Sequence, residues 1–282
     1  MGITLRRAIT VLEWRFGIKK VLLTGGSQWG ISLFLPASAD SRIAGIVPSA
    51  MHTLLDMKAY LEIVSQGDFT YGLKLVTPRL AKEMLSEILS YPQFNELSPV
   101  NLNISAPVFI IGGSGDEFYP LQGFNLVPLL SPAQKYLYIM PNISHGFENK
   151  KADDSRRAFF RSIISGAPSF ESEIKVISEK AVGDDLIIQA NVRAKEQIKD
   201  LSLFWACDNG NGSFNDERWQ RLRGEPKGSD YEFTIKSGKK CSHPAYFIEL
   251  KLSHPLNVMP QRAVALPTSD KIYLSSLPVI RP

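Results

Sequence analysis

The segment Lys20-Val21-Leu22-Leu23-Thr24-Gly25-Gly26-Ser27-Gln28-Trp29-Gly30 runs from an apolar strand into a glycine-flanked serine and then into helix-forming residues. A strand that reverses sharply into a helix forces tight backbone angles at its apex, and glycines beside the apex remove the Cβ atoms that would clash there. Such a turn lifts a serine hydroxyl clear of the sheet. It also aims the N–H groups of the following helix, that of Gln28 first, at any oxyanion formed nearby. The spacing departs from the nucleophile-elbow pattern Gly-x-Ser-x-Gly: Trp29 stands where the second glycine belongs, and Gly30 follows one residue late. On its own the turn is as compatible with a structural or phosphate-binding role as with a catalytic serine.

A serine of ordinary acidity needs a base to take its proton and a carboxylate to hold that base in the right tautomer. Both occur downstream, each on a loop after an apolar strand. The run Ala106 to Gly113 reads as a buried parallel strand, and Ser114-Gly115-Asp116-Glu117-Phe118 follows it, so Asp116 is the acid candidate and Glu117 the alternative. The run Lys135 to Met140 reads as the next strand, and Pro141-Asn142-Ile143-Ser144-His145-Gly146 places His145 at the same sheet edge as the base candidate. Of the four histidines, His52 precedes the acid strand, while His243 and His254 fall in a later region of different character. The order Ser, Asp, His, each after its own strand, is that of α/β-hydrolases. Taken singly, a Gly-rich turn Asp and a loop His have ordinary structural readings, as a turn former and a solvated side chain.

Around Ser27 the chain resembles the PhoPQ-activated pathogenicity-related proteins, whose Gly-x-Ser-Lys-Arg-Gly turn leads into a helix, an Asp-Arg-Val segment and a strand ending in proline. The corresponding residues are Gly25 to Gly30, Asp40-Ser41-Arg42-Ile43 and Ile46-Val47-Pro48. Gly113 to Phe118 is similar to that family's acid loop, and Pro141-Asn142 with His145 to its Pro-Asn-x-x-His loop. Leu203-Phe204-Trp205-Ala206, the downstream Trp219, and Ala245 to Leu250 are similar to its C-terminal segments. The resemblance implies an α/β-hydrolase-type domain followed by a β-sandwich, and a secreted or periplasmic setting. Gln28 and Trp29 replace the family's basic pair, so the chain lacks those two positive charges beside the serine.

The first residues read as an amphipathic helix, with Ile3, Leu5, Ala8, Ile9, Leu12 and Phe16 at helical spacing. Four parallel strands are expected near residues 19–24, 43–48, 106–111 and 134–140, leaving the serine strand at an apolar edge. An α/β-hydrolase has further strands ahead of its nucleophile and a second oxyanion donor from an upstream loop, so the expected sheet is N-terminally incomplete, as in a shortened form or fragment. A helical cap insertion is expected over about 49–105, with Tyr60, Phe69, Tyr71 and Phe94 as pocket-lining candidates or plain core contacts.

The expected division is 1–167 for the α/β-hydrolase-like domain and 168–282 for an immunoglobulin-like β-sandwich. In the second part Tyr231, Phe233 and Ile235 alternate with polar residues, and Tyr246, Ile248 and Leu250 alternate with Phe247, Glu249 and Lys251, as if one face were buried. About seven short strands are expected there, one near 262–267, with Trp205 and Trp219 as core residues. Cys207 and Cys241 both fall at strand ends, where a bridge is geometrically possible and would argue for an oxidising compartment.

A formal charge of +4 on 282 residues is too small and dispersed for a nucleic-acid partner, and Arg156-Arg157 and Lys239-Lys240 read as solvated surface. No apolar run approaches a membrane span, and Glu13 and Arg15 interrupt any N-terminal signal-peptide pattern. No metal-ligand spacing and no dinucleotide or P-loop pattern is found, so no metal and no cofactor is expected. The expected substrate is a small molecule or peptide with an ester or amide bond. The alternative is a non-catalytic secreted or envelope protein that uses the same scaffold for binding.

Overall fold

The computed structural model describes residues 2–51, 55–56, 58, 61, 78–90, 98–131, 134–146, 149–166, 170–208, 214–236, 241, 243–253 and 271–281. Tyr60, Phe69, Tyr71, Phe94, Lys239, Lys240 and the expected strand near 262–267 lie outside the described residues.

Four parallel strands form one sheet in the order β1-β2-β3-β4: β1 is Val21–Gly26, β2 Ile43–Ser49, β3 Val108–Gly113 and β4 Lys135–Met140. The two central strands are near-continuous apolar runs because both of their faces are covered, as a parallel sheet requires. β1 pairs with β2 alone among the described residues and is only half-buried. Helices α1 (Gly2–Phe16), α2 (Gln28–Ile31) and α3 (Phe34–Ala39) flank this side. Arg42 fixes the turn into β2: its guanidinium meets the buried Asp40 carboxylate at 2.6 Å and Glu13 of α1 at 2.9 Å. The Arg42 hydrogen bond, opposed by burial, holds the Asp40 carboxyl at about 2.

The amphipathic reading of α1 holds only in part. Ile9 is its one buried residue, and Ile3 and Phe16, expected on the packed face, are exposed together with Trp14. The helix packs on α3, and most of its apolar side chains meet solvent.

In the expected cap region the structure has a helix α4 (Pro78–Ser90) and a 3-10 turn (Pro99–Asn101). After β4, α5 (Lys150–Ile164) starts at Asn149, whose side chain accepts the Lys151 N–H at 2.7 Å and so caps the helix. Ala152, Ser155, Ala158, Phe159 and Ser162 recur on one buried face, and Phe159 packs on Phe109 and Tyr136 at ring separations of 5.5 and 5.8 Å.

The rest of the chain forms two antiparallel sheets. One has the order β5 (Ser172–Val182), β6 (Asp185–Ala194), β10 (Asp230–Lys236), β9 (Glu225–Lys227). The other has the order β12 (Lys271–Ser275), β11 (Pro244–Ser253), β7 (Ile198–Cys207), β8 (Gln220–Arg223), and β13 (Val279–Ile280) also pairs with β11. Ile188, Phe233 and Ile235 of the first sheet share a buried cluster with Leu203, Trp205, Tyr246 and Ile248 of the second, and that cluster runs on into Phe109, Tyr138 and Phe159. Trp205 and Trp219 are both core residues.

The one-sided burial expected for β11 is corrected here, because both of its faces are covered. Phe247 stacks on Phe204 at 5.6 Å and meets Trp219 at 5.1 Å, while the buried Glu249 carboxylate takes the Lys151 ammonium of α5 at 2.8 Å. The face that alternation marks as polar is therefore the face that docks on the parallel-sheet layer. Cys207 and Cys241 form a disulfide with Cα atoms 5.6 Å apart.

Candidate active site

Ser27 occupies the apex between β1 and α2 with φ 52° and ψ −127°, a conformation that a residue with a side chain adopts only under strain. Its N–H donates to the Ser49 carbonyl at 2.9 Å, and its own carbonyl accepts the Gly30 N–H at 2.9 Å, so the surrounding backbone holds the apex in place. The displaced glycine also has a physical reason. A Cβ on Gly25 would fall 2.9 Å from the Trp29 carbonyl carbon, and one on Gly30 would fall 2.8 Å from Met51 and 3.0 Å from the Gly25 carbonyl oxygen. Close approach is needed at positions 25 and 30, whereas Trp29 is 63% exposed and needs no glycine. Gln28 opens α2, and its N–H is one of the first-turn donors that a helix leaves without an internal acceptor.

Asp116 follows β3 and is fully buried. Its Oδ1 accepts the N–H groups of Phe118 at 2.9 Å and Tyr119 at 3.1 Å, which fixes the carboxylate within its own loop. The imidazole Nδ1 of His145 lies 3.2 Å from Oδ1 and 3.1 Å from Oδ2. Glu117 has a different place: its Oε2 accepts the backbone N–H of His145 at 2.7 Å, so it steadies the loop and leaves the ring to Asp116. The Asp116 hydrogen bond raises the His145 imidazole above its ordinary value against the opposing effect of burial, with the charges of Asp116 and Glu117 adding to the rise.

The loops that carry Asp116 and His145 are joined directly. Ser114 N–H donates to the Met140 carbonyl and Gly115 N–H to the Ile143 carbonyl, each at 2.9 Å. A Cβ on Gly113 would stand 2.1 Å from that same Ile143 oxygen, so only glycine lets the loops meet.

No hydrogen bond joins Ser27 directly to His145 among the described residues. The link between them is Tyr119, a buried residue that sequence reasoning missed. Its ring packs against the His145 ring at 5.4 Å, and the Ser27 side chain is close enough to its phenol to act on its acidity. Burial raises the phenol above its ordinary value, so the group is a neutral hydroxyl at physiological pH. Phe118 closes on His145 at 4.7 Å. The signal in the sequence is the aromatic pair directly after Asp116-Glu117, which local pattern alone does not tie to Ser27.

Among the described residues, no group of three or more His, Cys, Asp or Glu side chains is arranged to hold a metal ion. No helix in those residues is long and apolar enough to cross a membrane.

The family model described as PhoPQ-activated pathogenicity-related protein matches residues 4–215. No curated protein sequence is detectably similar to the chain. Among solved structures, it is similar to an α/β hydrolase from the metagenome of Mar Chica lagoon sediments, Morocco, at 16% identity and TM-score 0.37, covering 58% of this chain and 70% of that one. It is also similar to puromycin hydrolase at 13% identity and TM-score 0.43, covering 56% and 24% of the two chains. A third is acetyl xylan esterase 1 from a Thermoanaerobacterium species, at 16% identity and TM-score 0.38, covering 55% and 49%.

Proposed function

The chain belongs to the PhoPQ-activated pathogenicity-related protein family, and from that premise we propose that it is a serine hydrolase acting on an ester or amide bond through an acyl-enzyme. The observation that carries this reading is the presence of a strained serine at a strand-to-helix turn together with a buried Asp116 hydrogen-bonded to the half-buried His145 on the loops after β3 and β4.

In this reading Ser27 Oγ attacks the substrate carbonyl carbon while His145 Nε2 takes the hydroxyl proton. Asp116 keeps the other ring proton on Nδ1 and stabilises the imidazolium that forms. The Gln28 N–H donates to the oxyanion of the tetrahedral intermediate. Collapse of that intermediate passes the proton from His145 to the leaving oxygen or nitrogen, and a water activated by His145 then releases the acid and restores Ser27.

The two antiparallel sheets are read as an immunoglobulin-like sandwich over 168–282, following an α/β-hydrolase-like unit over 1–167 with its cap at about 49–105. The disulfide supports an oxidising compartment, secreted or periplasmic. The substrate class is a small molecule or a peptide, with no cofactor.

A fluorophosphonate probe tests this reading. Stoichiometric labelling of the folded wild type and none of Ser27→Ala is the expected result. The second reading, a binding protein on the same scaffold, is favoured by the lack of a direct hydrogen bond between Ser27 and His145 among the described residues. Absence of labelling in folded wild type decides for it.

A further inference from the structure

We infer that Asn142 is a positioning residue that makes the antiparallel layer part of the apparatus orienting His145. The inference rests on the serine-hydrolase reading for its consequence, although its geometry stands apart from that reading. Asn142 lies three residues ahead of His145 in the loop after β4, with φ 59°, a left-handed conformation that asparagine tolerates better than most residues. Its amide side chain makes two hydrogen bonds to the backbone of one distant residue. Nδ2 donates to the Trp219 carbonyl at 3.0 Å, and Oδ1 accepts the Trp219 N–H at 2.7 Å. The side chain thus pairs with Trp219 much as a neighbouring strand would.

The other attachments of Asn142 lead to the acid loop. Its backbone N–H donates to Ser114 Oγ at 2.9 Å, and Ser114 is a buried residue two positions before Asp116. A single residue therefore joins the base loop, the acid loop and the segment entering β8.

The anchor is packed and hydrogen-bonded. The Trp219 ring is buried against Phe247, its indole N–H donates to the Phe214 carbonyl, and the next residue, Gln220, pairs with Trp205 in the sheet. The acid loop lies against the same segment, since a Cβ on Gly115 would sit 3.0 Å from the Asn215 carbonyl oxygen. That segment leaves β7 at Cys207, the residue held by the disulfide. Beside the clamp is a polar cavity of about 310 Å³, lined by Gly115, Asn142, Ser144 and residues 215–218. Where the wall of a loop is a cavity and not a packed core, specific hydrogen bonds set the loop's position.

The test compares the full-length wild type with Asn142→Gly and Asn142→Asp. Glycine keeps the left-handed backbone and deletes both bonds to Trp219, so the side chain is tested without added strain. Aspartate keeps the shape and the acceptor but loses the donor. Two readouts are taken: the NMR titration of the His145 ring, which needs no activity, and the rate of fluorophosphonate labelling across pH. Thermal unfolding monitors the fold. For Asn142→Gly the expected result is a His145 titration shifted down toward that of a free imidazole, with labelling slowed at least tenfold. Asn142→Asp should label at an intermediate rate. Wild-type titration and labelling in a folded Asn142→Gly overturn the proposal, and so does a wild-type labelling rate in Asn142→Asp should the glycine variant not fold. If the wild type itself resists the probe, the hydrolase reading fails, and the titration difference alone decides whether the clamp orients His145.

Discussion

The Asp116 carboxylate, wholly buried, holds His145 Nδ1 at 3.1 Å while accepting two backbone N–H groups of its own loop. A carboxylate removed from water and supplied with three donors has nowhere to turn, so its partner ring is fixed in both tautomer and direction. Asp116→Asn keeps the shape but presents an amide to the ring. Labelling of Ser27 should fall by roughly 10⁴-fold, the order seen when this substitution is made in a serine-protease triad. The measurement is the second-order rate constant with a fluorophosphonate.

The same couple sets the pH dependence. His145 titrates above its ordinary value in the folded chain, with Asp116 as the main cause. Only the neutral ring can accept the serine proton, so labelling should rise with pH through that elevated value, and Asp116→Asn should move the midpoint down. Stability changes in the opposite direction. A group whose folded value exceeds its unfolded one contributes stability that is fully present below about 6.5 and is lost as pH rises through the folded value. Unfolding midpoints from pH 5.5 to 8.5 should therefore decline over this window more in wild type than in His145→Gln.

Ser27 is held at φ 52° with a side chain in place, a strain of about 1–3 kcal/mol by general experience of such conformations. Ser27→Gly removes both the hydroxyl and the Cβ that makes the angle costly, whereas Ser27→Ala removes the hydroxyl alone. Both should be inert to the probe. The glycine variant should be the more stable of the two by about 1 kcal/mol or more, read from denaturant midpoints. Equal stability would mean that the turn is unstrained and the case for a preorganised nucleophile correspondingly weaker.

The turn at Ser27 and the loops carrying Asp116 and His145 were legible because each is a local event: an apolar strand, then small or polar residues that end it. Gly30 looked misplaced in the linear pattern, yet its spacing follows from a backbone contact with Gly25 that only the folded turn reveals. Tyr119 was not legible, because its contact with Ser27 joins residues far apart in sequence. The Asn142–Trp219 pairing is hidden for the same reason, spanning 77 positions. Alternation in β11 correctly marked a strand. It misjudged the second face, since Phe247 and Glu249 are buried by Lys151 of α5 and by Trp219, just ahead of β8, and nothing local distinguishes such a face from a solvated one. In α1 the error ran the other way, helical spacing being present without a surface wide enough to cover it.

The disulfide between Cys207 and Cys241 closes a loop with a sequence separation of 34. Chain-entropy reasoning assigns such a closure about 3–4 kcal/mol against the reduced chain. Reduction, or replacement of both cysteines by serine, should lower the denaturant midpoint accordingly. It should also slow Ser27 labelling under conditions where the protein stays folded, because the segment leaving Cys207 carries Trp219 and its bonds to Asn142. Labelling unchanged by reduction would separate the disulfide from the site.

Tyr119 neighbours both ends of the proposed proton path, its ring on His145 and its phenol near Ser27. Under the proposed mechanism a phenol beside Ser27 competes with the imidazole for the serine hydroxyl. Tyr119→Phe keeps the packing on His145 and removes that competitor, leaving Ser27 to turn to the base. A neutral hydrogen bond contributes about 0.5–1.5 kcal/mol net, so labelling should quicken by roughly 2- to 12-fold. Slower labelling would give the phenol the opposite role, that of a donor to the oxyanion, since losing a preorganised donor costs rate instead of gaining it. Because the ring stays in place in either case, the direction of the change, together with an unaltered His145 titration, assigns the effect to the hydroxyl and not to a disturbed base loop.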